Sequence, residues 1–166
     1  QNLSDTTSIS GGEAVNINQA FWGMDGTAVQ LSTSGDTRVK LTDVPALQDG
    51  AYEISFRTGD SVPTSLGILP RYLDESNYIG FSIDGGGSNW TIHYSTGSNR
   101  HNTSVDPQPE VLQPNTTYKM KLTFTGTTVQ VQYMKDGDTA YRDVVTYQLN
   151  SSGYTGAEGG FAVRAF

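Results

Sequence analysis

Apolar and polar residues alternate with period two along most of this chain, and short glycine turns interrupt the alternation. That period puts successive side chains on opposite faces of an extended strand and leaves no apolar stripe for a helix. Tyr52, Ile54 and Phe56 alternate with Glu53, Ser55 and Arg57. Ile79, Phe81 and Ile83 alternate with Tyr78, Gly80, Ser82 and Asp84, and Trp90, Ile92 and Tyr94 with Thr91 and His93. Tyr118, Met120, Leu122 and Phe124 alternate with Lys119, Lys121 and Thr123, and Val129, Val131 and Tyr133 with Gln130 and Gln132. Phe161, Val163 and Ala165 alternate with Ala162, Arg164 and Phe166. Weaker strands read over 28–32, 38–41 and 143–148.

The turns fall between these runs. Asp84-Gly85-Gly86-Gly87, Thr125-Gly126-Thr127, Lys135-Asp136-Gly137-Asp138 and Ser34-Gly35-Asp36 each supply residues that tolerate the positive φ of a reversal. The pattern predicts about nine to eleven antiparallel strands, more than one flat sheet holds, so the fold class is all-β, a two-sheet antiparallel β-sandwich. The stretch 95–114, with Pro107, Pro109 and Pro114, reads as a long surface connection between the sheets. Gln1–Gly12 has no basic or apolar leader character and reads as a linker or N-terminal extension. Residues 13–166 read as a single domain. The pattern is still running at Phe166, so the chain is expected to be one module of a longer protein.

Composition narrows the function. A net charge of −7 with only ten Lys and Arg disfavours a phosphate backbone as partner. No apolar run reaches the ~18 residues of a membrane-spanning helix. Without cysteine the chain has no thiol catalysis, iron–sulfur cluster or thiolate zinc site. Function is therefore sought on the polar strand faces. Glu53 and Arg57 share one. Tyr78, Ser82 and Asp84 share another, Thr91 and His93 a third, with Arg71 just before and Arg164 near the end. If their strands lay in one sheet, these groups would converge. Guanidinium and carboxylate groups make paired hydrogen bonds to vicinal hydroxyls, and aromatic rings stack on the C–H face of a sugar, so the set points to a glycan. The bland alternative is an internal Glu53–Arg57 ion pair and a surface role for Arg71. Phe21-Trp22-Gly23-Met24-Asp25-Gly26 is an aromatic-glycine loop that would present Trp22 to a sugar; Trp90, in phase with Ile92 and Tyr94, reads as core.

Residues 69–84, LPRYLDESNYIGFSID, resemble the hairpin R-Y-x-D-x-x-N-Y of concanavalin A-like, laminin-G-like jelly rolls. The preceding GDTRVKLTDVPALQDGAYEISFRTGD is similar to the same family's G-x-Y-x-x-x-x-x-R strand, and GGFAVR to its closing G-G-[FI]-G-[VL]-R, with Ala162 in place of a common glycine. Such modules are appended to bacterial glycoside hydrolases, and the family 66 levan-binding modules are among them. The resemblance implies a jelly-roll sandwich with its ligand site on the concave face or the loops at one edge, and draws Arg57, Arg71, Tyr78 and Arg164 into it. It also allows a structural Ca²⁺, for which Glu13, Asp25, Asp36, Asp60, Asp136 and Asp138 are candidate donors; no D-x-D-x-D-G loop fixes the site, and Asp136-Gly137-Asp138 reads first as a plain turn.

Catalysis has little support. A glycosidase needs two carboxylates about 5–10 Å apart. Glu53 and Asp84 are the pair that would serve, but the E-x-D-x-x-E strand of laminarinases is absent, as are G-x-S-x-G and a P-loop. His93 and His101 are the only histidines and lack metal-site spacing. Five N-x-S/T sequons, at Asn2, Asn89, Asn102, Asn115 and Asn150, read as chance in a chain rich in Asn, Ser and Thr. The leading expectation is a non-catalytic carbohydrate-binding module that holds a secreted bacterial glycoside hydrolase at its glycan. It would sit outside the cell or at its surface, with the catalytic domain on the same polypeptide. A laminin-G-like adhesion domain and a diverged glycan hydrolase are the alternatives.

Overall fold

The computed structural model describes residues 2–3, 8–9, 12–16, 20–25, 28–33, 37–41, 49–62, 64–74, 76–97, 99–149 and 160–165, with side chains described at 49–62, 64–74, 76–97, 99–149, 160, 162 and 163. None of them is helical. In chain order the strands are β1 (Asn2–Leu3), β2 (Ser8–Ile9), β3 (Gly12–Asn16), β4 (Ala20–Asp25), β5 (Ala28–Thr33), β6 (Thr37–Leu41), β7 (Gly50–Arg57) and β8 (Ser65–Tyr72). They continue as β9 (Asn77–Asp84), β10 (Asn89–Thr96), β11 (Asn99–Ser104), β12 (Thr117–Thr125), β13 (Thr128–Lys135), β14 (Arg142–Gln148) and β15 (Gly160–Ala165). An eight-stranded sheet runs β11-β10-β9-β8-β15-β6-β3-β2, a four-stranded sheet runs β14-β13-β12-β7, and β1-β4-β5 form a three-stranded ribbon. Every named pairing is antiparallel. β1 and β2 fall within the 1–12 stretch that reads as a linker. The turn Ser34-Gly35-Asp36 lies outside the described residues.

The two larger sheets face each other through the stripes that the alternation selects. Ile79, Phe81 and Ile83 of β9 and Trp90, Ile92 and Tyr94 of β10 meet Tyr118, Met120, Leu122 and Phe124 of β12 and Val129, Val131 and Tyr133 of β13. Burial of these apolar faces, at about 25 cal/mol per Å², is what holds sheet to sheet. The connection from β11 to β12 crosses the end of the sandwich, as the prolines of that stretch suggest. Gln108 anchors it by accepting from the Trp90 backbone N–H at 2.6 Å and donating to the Val105 carbonyl at 2.6 Å. Leu112 N–H donates to the Gly87 carbonyl at 3.0 Å, and Gly87 sits at φ 91° with no room for a Cβ against Leu112. The connection is shorter than the sequence suggests, because 99–104 form β11. That strand is exposed at all six positions, so its residues, NRHNTS, carry no apolar alternation to read.

The hairpin between β8 and β9 turns as its motif predicts. Asp74 accepts from the Ser76 backbone N–H at 2.8 Å and from Asn77 Nδ2 at 3.0 Å, closing the reversal. One strand before it departs from simple alternation. Between Ile68↔Phe81 and the bridge Asp74↔Asn77, β8 advances six residues while β9 advances four. The register against β15 slips at the same place, between Gly160↔Tyr72 and Ala162↔Leu69. Arg71 lies in this bulge with φ 55°, the left-handed region. Against β15 the slip is one residue, three on β8 for two on β15, and it inverts the faces. Arg71 turns into the sandwich, while Tyr72 joins Leu69, Tyr78 and Ala162 on the opposite side.

Candidate functional site

Among those whose side chains are described, the residues selected from the sequence do not converge on one face. Glu53 and Arg57 project outward from β7 in the four-stranded sheet. Arg71 is buried between the sheets, its guanidinium carbon 4.3 Å from the centre of the Phe124 ring. Tyr78 is buried on the other side of the eight-stranded sheet, 6.2 Å from Tyr72 and 5.5 Å from His93, ring centre to ring centre. Asp84 ends β9 and accepts hydrogen bonds from the Ser65 and Ser82 hydroxyls. Arg164 holds a place in β15 opposite Gly67 and Arg38, and Trp22 holds one in β4 opposite Leu31 and Leu3; their side chains lie outside the described residues. The expectation of one converging face is corrected by strand pairing. β7 joins β12, whereas β8, β9 and β15 join the other sheet. Glu53 and Asp84 therefore point away from the core on different sheets, and no carboxylate pair forms from them.

The outward side of the eight-stranded sheet is closed over most of its described width. Ser82, Thr91, His93 and Ser95 are buried there together with Tyr72 and Tyr78. The fit is tight enough that a Cβ on Gly80 would sit 2.4 Å from His93 Cε1. A sugar has no direct access to Arg71 or Tyr78 in this arrangement. The accessible strip is the edge strand β11, where Arg100, Asn102 and Ser104 stand opposite Ser95, His93 and Thr91. Arg100 Nε donates to Asn102 Oδ1 at 3.1 Å. Trp90 is core, as its phase predicts, with no exposed surface.

The outward side of the four-stranded sheet is open. One row of polar residues crosses all four strands in register: Glu53, Lys121, Gln132 and Asp143. Gln132 and Gln130 both donate to Asp143 Oδ1, at 2.8 and 3.2 Å. Arg57 Nη1 reaches Thr117 Oγ1 at 3.5 Å on the same side. Tyr141, from the loop that enters β14, lies over this row with Lys121 Nζ 5.7 Å from its ring centre. Sequence reasoning missed Tyr141 because it stands in a polar turn with no strand phase. A lone aromatic among Asp138, Thr139, Ala140 and Arg142 was the available signal.

Burial, and then the Glu53 carboxylate beside it, push the Tyr141 hydroxyl up to about 12. The raised value means that the folded state keeps this proton longer than the unfolded chain does. The associated stability is complete below the ordinary tyrosine range near 10 and is lost as pH rises towards 12. Chemical denaturation across that range is expected to fall less steeply with pH for Tyr141→Phe than for the unaltered chain; identical slopes would contradict the assignment.

The described residues fit the calcium expectation poorly. No group of three or more His, Asp or Glu gathers among them. Asp60 accepts from Asn115 Nδ2 at 3.2 Å, and Asp138 accepts the Lys135 backbone N–H at 3.0 Å and pairs with Arg142. These are turn contacts. The side chains of Glu13, Asp25 and Asp36 lie outside the described residues.

The two-sheet arrangement can be compared with solved structures. The chain superposes on the carbohydrate-binding module CBM66 from Bacillus subtilis with a TM-score of 0.64, over 93% of this chain and 86% of that one, at 16% identity. The fold is that of a known carbohydrate-binding module. Caenorhabditis elegans galectin LEC-6 follows with a TM-score of 0.52, 91% and 99% coverage and 11% identity. Chicken galectin 2 gives 0.50, with 70% and 81% coverage and 15% identity. No family model and no curated protein matches the sequence. At these identities the likeness establishes the fold, the two-sheet β-sandwich that the alternation predicts and the jelly roll that the resemblance implies, and sites are argued from the residues themselves.

Proposed function

We propose that this chain is a non-catalytic glycan-binding domain. The observation that carries the reading is the likeness to a carbohydrate-binding module over 93% of the chain, joined to an open polar sheet face. The separation of Glu53 from Asp84 by the whole core supports binding over hydrolysis, because acid and nucleophile must flank one bond. In the finer form of the proposal, the domain holds a secreted bacterial glycoside hydrolase at its polysaccharide. Binding by one exposed face would be weak, in the micromolar to millimolar range, and useful through tethering of the attached enzyme.

The test is a glycan array probed with the full chain, followed by calorimetry on the sugars retained. Retention of one glycan class without release of sugar is the expected result. Retention of none, with protein ligands retained instead, would favour the adhesion reading and reject this one.

A further inference from the structure

We infer that the glycan is bound on the outer face of the four-stranded sheet, with the Tyr141 ring as its stacking platform and a neutral sugar ring as its ligand. The inference rests on the glycan-binding reading and gives it a place. Tyr141 stands apart from every other described Phe, Tyr and Trp. Tyr52, Phe81, Trp90, Tyr94, Tyr118, Phe124 and Tyr133 belong to the core between the sheets, the half-buried Phe56 and Tyr147 pack against that core, and Tyr72 and Tyr78 belong to the buried cluster behind the eight-stranded sheet. Among the residues whose side chains are described, Tyr141 is thus the half-buried ring that packs in neither apolar cluster.

The groups around it suit a sugar. Glu53 and Asp143 offer acceptors, and Lys121 and Gln132 offer donors, in a single row at strand spacing. The face carries both signs, Glu53 and Asp143 beside Lys121, so it presents no field of one sign that would select a charged ligand. Beside the row lies a depression of about 230 Å³, lined by Thr117, Lys119, Met134 and the turn at Lys135–Asp138. That is smaller than the roughly 300–1,000 Å³ of an enclosing small-molecule pocket, so it seats part of a chain in the open. Arg57 stands next to this depression through Thr117. Met134 lines the depression, and Lys119 lies opposite it on β12. A sugar would rest its C–H face on Tyr141 and turn its hydroxyls to the row. Among the described residues the opposite outward face offers no comparable ring, because Tyr72 and Tyr78 are buried.

The experiment is an NMR titration of the ¹⁵N-labelled full chain with cellohexaose, lactose and levan oligosaccharides, taken to millimolar concentration. Shifts concentrated on Tyr141, Lys121 and Gln132 are expected, as is a roughly tenfold loss of affinity in Tyr141→Ala, the size of one ring contact. Asn102→Ala, on the edge of the other sheet, is expected to bind like the unaltered chain. Mapping on the unaltered chain needs no variant to fold. Shifts confined to β10 and β11, or loss of binding in Asn102→Ala but not in Tyr141→Ala, would overturn this location and leave glycan binding standing. Silence with all three sugars and on the array would overturn both.

Discussion

Trp90→Ala is expected to lower the stability of the fold by about 3–5 kcal/mol, the cost of removing a large buried aromatic from a core that cannot fully collapse. Trp90 has no exposed surface. Its ring meets Phe81 of the neighbouring strand at 6.0 Å and Tyr133 of the facing sheet at 5.1 Å, both edge-on. Edge-to-face pairs of this kind add about 0.5–1.5 kcal/mol beyond the area they bury. The indole N–H donates to the Gly87 carbonyl at 3.3 Å, and the backbone carbonyl accepts from Val105 N–H at 2.8 Å. One residue therefore ties together both sheets, the glycine turn and the start of the β11–β12 connection. Trp90→Phe keeps a ring but loses the N–H contact, and is expected to cost less. Urea denaturation of the three proteins measures this. An alanine variant as stable as the parent but unable to bind sugar would make Trp90 a ligand residue and contradict the core assignment.

Much of this was legible in the sequence, and the reasons are local. Period-two runs name the inward face of β7, β12 and β13 because those strands bury one side and wet the other, and of β9 and β10 because most of their outward residues are polar even though they are buried. Glycine turns name the hairpins. What pattern reading misses is non-local. Which sheet a strand joins is decided by pairing across the chain, so Glu53 and Asp84 look like partners in sequence and lie on different sheets. Alternation also turns Tyr78 and His93 away from the core stripes of their strands, but does not say that they meet or that their face is buried in turn. β11 escaped because a strand exposed on both sides has no apolar phase.

Arg71 is the sharpest case, and Arg71→Ala is expected to cost about 2–4 kcal/mol of stability, where a surface sugar contact would cost almost none. Strict alternation from Ile68 puts Arg71 outward, in position to hold a ligand. The bulge reverses that phase and brings the guanidinium against Phe124 at 4.3 Å, with 1% of the residue exposed. A cation held over a ring away from water gains about 2 kcal/mol or more, and removing the long side chain also leaves a cavity. Arg71→Lys keeps the charge but not the planar group that lies on the ring, so it should recover only part of the loss. Thermal and urea unfolding separate the possibilities. A structural Arg71 lowers the midpoint in both variants, more in alanine than in lysine, and spares sugar affinity in whatever fraction remains folded. A ligand Arg71 would leave both midpoints unchanged and abolish binding, which the bulged geometry forbids.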